Sequence, residues 1–169
     1  IMAKTDSFFI RAKLTGSPGA FTENSVDLGA YVDALGKSVL RVHNVAVQTY
    51  EILGQDWSIP TGSTSNITWQ LTTQSQTGLV DASNKSVVAS GSLQIANASS
   101  TNNIWTSITD APDLMPQMWR NGYLIGVEQI YLGAEVDVQL SAGEVIVVME
   151  CTVETLSQSA AMALALSQQ

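Results

Sequence analysis

The sequence has few charged residues, a single cysteine, a single histidine and no long hydrophobic run. Only 13% of its 169 residues are Asp, Glu, Lys or Arg, about half of the usual share in a soluble domain. One cysteine excludes an intrachain disulfide and a cysteine-rich zinc site, and one histidine excludes metal sites built from two or three histidines. No window approaches the roughly 20 apolar residues of a membrane-spanning helix. We therefore expect no metal and no cofactor.

Basic residues are scarce and lie mostly in the first half of the chain. Seven Lys and Arg stand against 15 Asp and Glu, which gives a net charge of −8. Residues 86–169 contain one base, Arg120, against eight acids. Because nucleic-acid binding requires clustered Lys and Arg to displace counterions, we expect no direct contact with nucleic acid. The one basic cluster, Lys4, Arg11 and Lys13, is typical of a solvated strand face.

The residue sets needed for catalysis are missing. A serine–histidine mechanism would have to use His43, but no G-x-S-x-G motif is present, and both glycine-rich phosphate-binding motifs are absent. Cys151 lies in phase with apolar strand residues and is therefore interpreted as part of the core. We predict that the protein is not an enzyme and has no small-molecule substrate.

Carboxylate pairs are present, but their spacing favours solvated charges. The pairs considered are Glu135 with Asp137, Glu150 with Glu154, and Asp110 with Asp113. Each of the first two pairs would share a strand face, and the rise of a β-strand places Glu135 and Asp137 about 7 Å apart. The third lacks the Asp-x-Asp-x-Asp spacing of a calcium loop, and Asp110 is better placed to cap a helix.

Uncharged polar residues take the place of the missing charge. Ser, Thr, Gln and Asn together make up 54 residues, and apolar residues alternate with them in runs of strand length. Such alternation over about eight runs, with turn residues between them, predicts an all-β sandwich of antiparallel strands. The residues expected to face inwards are Ile67, Trp69, Leu71, Val136, Val138, Val145, Val147, Met149 and Cys151.

Several local irregularities carry predictions of their own. The apolar phase changes within Ser38–Leu53, which predicts a β-bulge, and Gly91 predicts a bulge or a close approach within Ser86–Ala96. Asp110–Trp119 is predicted as the one short internal helix, with Pro112 near its start. Tyr123–Leu132 is interpreted as one strand.

The C-terminal segment differs from the rest of the chain, since its alanines favour a helix. Its large apolar residues are Leu156, Met162, Leu164 and Leu166. A helix of about fourteen residues is marginal alone in water and needs a surface to pack against. One possible surface is the helix's own domain. The alternative is a surface outside the domain, on a neighbouring subunit or on an underlying membrane-side layer. No charge lies between Thr155 and Gln168, so these four residues are predicted as an assembly contact.

The tryptophans leave a second function open. Trp57, Trp105 and Trp119 lie in or beside predicted loops, where an aromatic platform for sugar binding would need them; the alternative is that they fill the core or an intersubunit contact. N-glycosylation patterns occur at Asn66, Asn84 and Asn97, as chance allows in a chain so rich in Ser and Thr.

In the arrangement of its predicted elements, the segment 6–156 resembles the single jelly-roll capsid proteins of icosahedral viruses. The resemblance rests on eight strand-like runs, one helical excursion at Asp110–Trp119 and the lack of a catalytic set. Length and acidic, polar composition are most similar to the small major capsid protein of tailless viruses with an internal membrane, the sphaerolipovirus-like group. Many jelly rolls of RNA viruses carry a basic N-terminal arm, which Lys4, Arg11 and Lys13 do not form.

This resemblance implies one jelly-roll domain over residues 1–169, with 1–5 as an N-terminal extension and 156–169 as a C-terminal tail. It implies a virion protein that assembles with copies of itself and a second capsid protein into an icosahedral shell, resting on a membrane or another protein layer. The expected place of synthesis is the host cytoplasm, since no secretory signal precedes the first strand-like run. A non-catalytic carbohydrate- or ligand-binding sandwich and a filament or tail component remain alternatives.

Overall fold

The computed structural model describes residues 6–33, 35, 37–54, 57–97 and 117–169, together with the backbone of 106–109. The described residues form two packed antiparallel sheets and one C-terminal helix. The elements are β1 (Phe8–Gly16), β2 (Phe21–Asp27), β3 (Ser38–Tyr50), β4 (Thr64–Thr72), β5 (Val87–Ala96), β6 (Thr106–Thr109), β7 (Gln117–Ile125), β8 (Gln129–Val136), β9 (Gly143–Thr155) and α1 (Gln158–Gln168).

The order of the strands defines the fold. One sheet has four strands in the order β1-β9-β3-β7, and the other has five in the order β2-β8-β4-β5-β6. Neighbouring strands in both sheets are antiparallel. Without the edge strand β6, this is the order produced by the two Greek keys of an eight-stranded jelly roll. The prediction of an antiparallel jelly-roll sandwich is confirmed.

The core lies between the two sheets, where period-two alternation places one face of each strand. Ile67, Trp69 and Leu71 of β4 are buried there, as are Val136 of β8 and the β9 residues Val145, Val147, Met149 and Cys151. All eight were predicted to face inwards. They are 0 or 1% exposed, as expected for strands whose register is fixed by a buried face.

Val138 was also predicted to face inwards, and that prediction is wrong. Its side chain is 73% exposed, because β8 ends at Val136 and the chain turns. Asp137 Oδ1 accepts a hydrogen bond from Gln139 N at 3.0 Å, and the Asp137 carbonyl accepts one from Leu140 N at 3.1 Å. This Asx turn replaces the pairing that would have continued the strand.

The bulge predicted in the long third strand is confirmed at His43. Val42 pairs with Cys151 and Asn44 pairs with Glu150, so His43 is the extra residue opposite β9. The insertion moves the inward phase from even to odd positions and returns Val45 to the core. The prediction for Gly91 is confirmed as a close approach, since a Cβ there would lie 2.6 Å from Trp69 Nε1.

Two predictions for the middle of the chain need correction. Residues 117–119 of the expected helix Asp110–Trp119 belong to β7, and the rest of that helix lies outside the described residues. The run Tyr123–Leu132 is two strands in different sheets, with a turn at 126–128 between β7 and β8. Within β7, Gly122 has a φ of 74°, and the register against β3 shifts nearby.

The second strand ends at an aspartate, although apolar residues continue to alternate as far as Val32. β2 ends at Asp27, whose Oδ1 accepts a hydrogen bond from Gly29 N at 2.8 Å. The backbone then turns through residues 29–31. As at Asp137, an aspartate that bonds the backbone two residues ahead ends the strand earlier than the apolar pattern indicates.

Candidate assembly surface

Cys151 and His43 lie on neighbouring strands, but no hydrogen bond joins their side chains in the described part of the chain. Burial, with a smaller contribution from the Glu150 charge, raises the pKa of Cys151 to about 12, so its thiol is protonated and a poor nucleophile at neutral pH. His43 Nε2 lies 2.9 Å from Thr152 Oγ1 in the bulge. Within the described ranges, no group of three or more His, Cys, Asp or Glu is placed to hold a metal ion.

The carboxylates that were weighed for catalysis have different surroundings. Glu154 is bound to Arg41, whose Nη2 donates to Glu154 Oε2 at 2.7 Å, while Glu135 is exposed at the end of β8 and Asp137 lies in the turn. Asp110 and Asp113 lie outside the described residues.

The described tryptophans do not form a platform. Trp57 and Trp119 are half-buried and pack against the core, and the Trp119 ring centroid lies 5.6 Å from that of Tyr123. Trp105 lies outside the described residues.

The three glycosylation patterns differ sharply in their surroundings. Asn97 is buried and its Nδ2 donates to the Ile59 carbonyl at 3.1 Å, and Asn84 Oδ1 accepts from Ser86 N at 2.9 Å. The side chain of Asn66 is exposed on β4.

The C-terminal helix is anchored to its own domain along one face. It begins at the N-cap Ser157, whose Oγ accepts from Ala160 N, and it buries Ala161, Ala165 and Gln168. The Gln168 amide acts as a clamp, because its Oε1 accepts from Gly126 N at 2.8 Å and its Nε2 donates to the Leu124 carbonyl at 2.7 Å.

Two of the four predicted assembly residues belong to this anchored side. Leu164 is half-buried over Gly126, where a Cβ would lie 2.9 Å from Leu164 Cγ. Leu156 is half-buried, and its N–H donates to the Lys37 carbonyl at 2.7 Å. Both residues therefore help to hold the tail on its own domain.

The other two, Met162 and Leu166, lie together on the outside of α1. They are 45% and 68% exposed, and their four-residue spacing places them on one face. Exposed Ser159 and Ala163 complete this face, so we call these four residues the helix stripe. A helix that is apolar on both sides is usually covered on both sides, yet the outer side of α1 has no partner among the described residues.

Exposed apolar side chains also occur on the strands, and none of them was predicted. Phe9 on β1 is 55% exposed and Met118 on β7 is 72% exposed. Arg11 lies next to Phe9, with its guanidinium carbon 5.7 Å from the ring centroid. The signal for Phe9 was present in the sequence, since a strand with Phe8 and Ile10 facing inwards must point Phe9 outwards.

No helix within the described ranges combines the length and apolar character needed to cross a bilayer. The tail helix α1, with eleven residues, is too short for that.

Comparison with known proteins gives likeness in fold only. No protein-family model and no curated protein sequence matches the chain. Among solved structures, the chain is similar to VP1 of Merkel cell polyomavirus in an unassembled pentamer, with 7% identity, a TM-score of 0.42, and coverage of 92% of this chain and 100% of that one. It is also similar to Desmodium yellow mottle tymovirus, with 9% identity, a TM-score of 0.31 and coverage of 93% and 94%. A third similar structure, from maize chlorotic mottle virus, has 9% identity, a TM-score of 0.36 and coverage of 92% and 96%.

Proposed function

We propose that this protein is a structural subunit of an icosahedral viral capsid that assembles with copies of itself and performs no catalysis. The observation that carries the proposal is the helix stripe, an exposed and uncharged apolar surface on the outside of a jelly-roll domain. Contiguous exposed apolar surface on a folded domain marks a contact with another molecule.

Jelly rolls serve chiefly as capsid subunits, lectins and cupins, and the residues present favour the first of these. A cupin-type metal site uses several histidines, whereas this chain has one, and that one is in the β3 bulge. A sugar platform would use exposed aromatic rings, whereas Trp57 and Trp119 pack against the core. Assembly needs only complementary surface, which the stripe supplies.

The composition suits a protein that buries much of its surface in contacts. An unpaired charge is costly to bury, and the chain carries 13% charged residues against 54 uncharged polar ones. Hydroxyl and amide groups can form hydrogen bonds across a contact without that cost.

The partners follow from the same proposal. The chain forms one jelly-roll domain over 1–169 in the virion, with 1–5 as an extension and 156–169 as the tail. Its partners are other copies, a second capsid protein and an underlying membrane or protein layer. Contact with the genome is not part of this role, because the acidic chain offers few basic groups.

The test replaces the apolar surface of the stripe without disturbing the anchored face of α1. We expect the purified protein to form closed shells or regular multimers in size-exclusion chromatography and negative-stain microscopy. The double variant Met162→Gln/Leu166→Gln should keep its circular dichroism spectrum but remain monomeric. Ala160→Gln is the matched control, since Ala160 is exposed on α1 outside the stripe, and it should assemble normally.

Two outcomes would contradict the proposal. One is a double variant that assembles as well as the wild type. The other is a wild-type protein that stays monomeric at high concentration and is retained on a polysaccharide column, which would favour the carbohydrate-binding alternative.

A further inference from the structure

Charge is divided between the two sheets. The four basic residues found in strands are Arg11, Lys13, Arg41 and Arg120, and all lie in the four-stranded sheet. The sequences of the five strands of the other sheet contain no Lys or Arg, but contain Glu23, Asp27 and Glu135. The four-stranded sheet also contains Glu144, Glu150 and Glu154 in β9, so the two broad faces differ in net charge, and the five-stranded face is the more acidic.

A basic and aromatic ridge lies at the edge of the four-stranded sheet. β1 is an edge strand, and Phe9 and Arg11 are exposed on its outer side; we call this pair the β1 ridge. Lys13 is bound to Glu144 at 2.7 Å, whereas no carboxylate of the described residues lies within 4 Å of the Arg11 guanidinium. Across β9, Arg11 is opposite Val148, and Glu150 is opposite Phe9.

A groove lies on the outer face of the five-stranded sheet. A cavity of about 260 Å³ there is lined by Gly19, Asn66, Thr68, Leu79, Glu135, Val136, Asp137 and Val138; we call it the acidic groove. Its two carboxylates have no basic side chain within 4 Å among the described residues, although Asp137 Oδ1 already accepts from Gln139 N. Leu79 and Val138 are the exposed apolar members.

The groove is preformed by the protein. Leu79 is held over the sheet because the buried Gln70 amide donates to the Gly78 carbonyl at 3.1 Å and accepts from Val80 N at 2.8 Å. On the other side, Val138 contacts Gly19, where a Cβ would lie 2.5 Å from Val138 Cγ1. A rigid surface loses little entropy when a partner binds.

We propose that the β1 ridge of one copy docks into the acidic groove of a second copy. The Arg11 guanidinium pairs with Glu135 and Asp137, and the Phe9 ring packs between Leu79 and Val138. Arginine and aromatic residues are the side chains that most often dominate the energy of such contacts, and complementary charge sets both partner and orientation. The inference rests on the proposed function and names which two surfaces meet.

Geometry requires this contact to be between molecules. The ridge and the groove lie on the outer faces of opposite sheets, so one chain cannot bring them together. A contact that joins two different surfaces is heterologous and repeats from copy to copy, which builds a closed ring, or an open helical filament where the rotation does not close. Such repetition is what a shell of many identical subunits needs.

The experiment is a charge exchange in the full chain, followed by sedimentation velocity over a range of concentrations. Arg11→Glu and Glu135→Arg should each raise the midpoint concentration of assembly by about tenfold or more, as expected for a close charge pair. The double variant Arg11→Glu/Glu135→Arg should return the midpoint to within about threefold of the wild type, because opposite charges face each other again. Lys37→Glu, at an exposed base in the β2–β3 loop, makes the same charge change away from both surfaces and should have little effect.

Each outcome decides a separate question. If the wild type assembles and Arg11→Glu assembles equally well, the inference is wrong while the proposed function stands. If both single variants assemble poorly and the double variant does not regain the wild-type midpoint concentration, Arg11 and Glu135 do not meet, and the inference is again wrong. If the wild type itself never assembles, the proposed function is wrong.

Discussion

Among single residues, Glu51 is the clearest case of a charge that the fold must compensate. It is 6% exposed, and its Oε1 accepts from Ser141 N and Oγ at 3.0 and 2.7 Å, while Oε2 accepts from Ser58 N at 3.1 Å. Burial raises the pKa of Glu51, but the hydrogen bonds from Ser141 and Ser58 outweigh burial and hold the pKa below its ordinary value. The carboxylate thus joins the loop after β3 to the turn before β9.

Replacing this carboxylate should cost stability in a pH-dependent way. We expect Glu51→Gln to lower the free energy of unfolding by about 1–3 kcal/mol at pH 7, because an amide cannot accept all three hydrogen bonds. The pKa is lower in the folded state, so the ionised group stabilises the protein above its unfolded pKa, and this stabilisation is lost as the pH falls through the folded pKa. Urea unfolding at pH 7 and at acidic pH should therefore show the difference between wild type and variant shrinking in acid.

The control for this measurement is Glu128→Gln, since the Glu128 side chain is exposed. It should change the free energy of unfolding by less than about 0.5 kcal/mol. A deficit for Glu51→Gln that is the same at both pH values would contradict the role given to the ionised carboxylate.

How far residues could be predicted from the sequence depends on whether the cause is local. Gly91 was predicted correctly because a glycine inside an alternating strand leaves few explanations. Gly126 gave no such signal. A Cβ at this position would collide with Leu164, which lies 38 residues further along the chain. The clamp formed by Gln168 was equally invisible, because its partners are backbone groups of residues 124 and 126.

At the scale of elements, the strands and the bulge were predictable, because the inward phase is a property of the sequence itself. The end of β8 was not predictable, because Val136 and Val138 continue the apolar alternation. The strand ends there because the Asp137 side chain accepts a hydrogen bond from Gln139 N and the backbone turns. Trp119 lies in a strand because β7 pairs with β3 on both sides of it, at 117–118 and again at 123–125, and this long-range contact overrides local helix preference. The helix α1 was predicted. The face on which it docks could not be predicted, because that face depends on the surface of the sheet against which the helix packs.

The docking of α1 should depend on the Gln168 clamp. We expect Gln168→Ala to speed hydrogen exchange of the α1 amides by about fivefold, because both side-chain hydrogen bonds to the β7–β8 turn are lost. Mass spectrometry of the C-terminal peptide measures this exchange. The neighbouring substitution Gln169→Ala is the matched control, since Gln169 is exposed, and it should leave exchange unchanged. Equal protection in the two variants would show that the helix is held without the Gln168 side chain.

At the scale of the whole molecule, the fold is closed by its last strand. β9 lies inside the four-stranded sheet and pairs with β1 on one side and β3 on the other. Phe8 is paired with Cys151, so the first and last strands must meet before this sheet exists. The core also depends on β9, which contributes Val145, Val147, Met149 and Cys151. We expect contacts so distant in sequence to make folding slow.

Two truncations should therefore have opposite effects. A chain that ends at residue 142 lacks β9, so we expect it to lose its near-ultraviolet circular dichroism and to be digested rapidly by protease, because β1 and β3 lose their shared partner. A chain that ends at Thr155 keeps every strand and should remain folded, with lower stability from the loss of α1 packing. It should also fail to assemble, because it lacks the helix stripe. If the shorter chain folded, sheet closure by β9 would not be required; if the longer chain unfolded, α1 would be part of the core and not an appended contact.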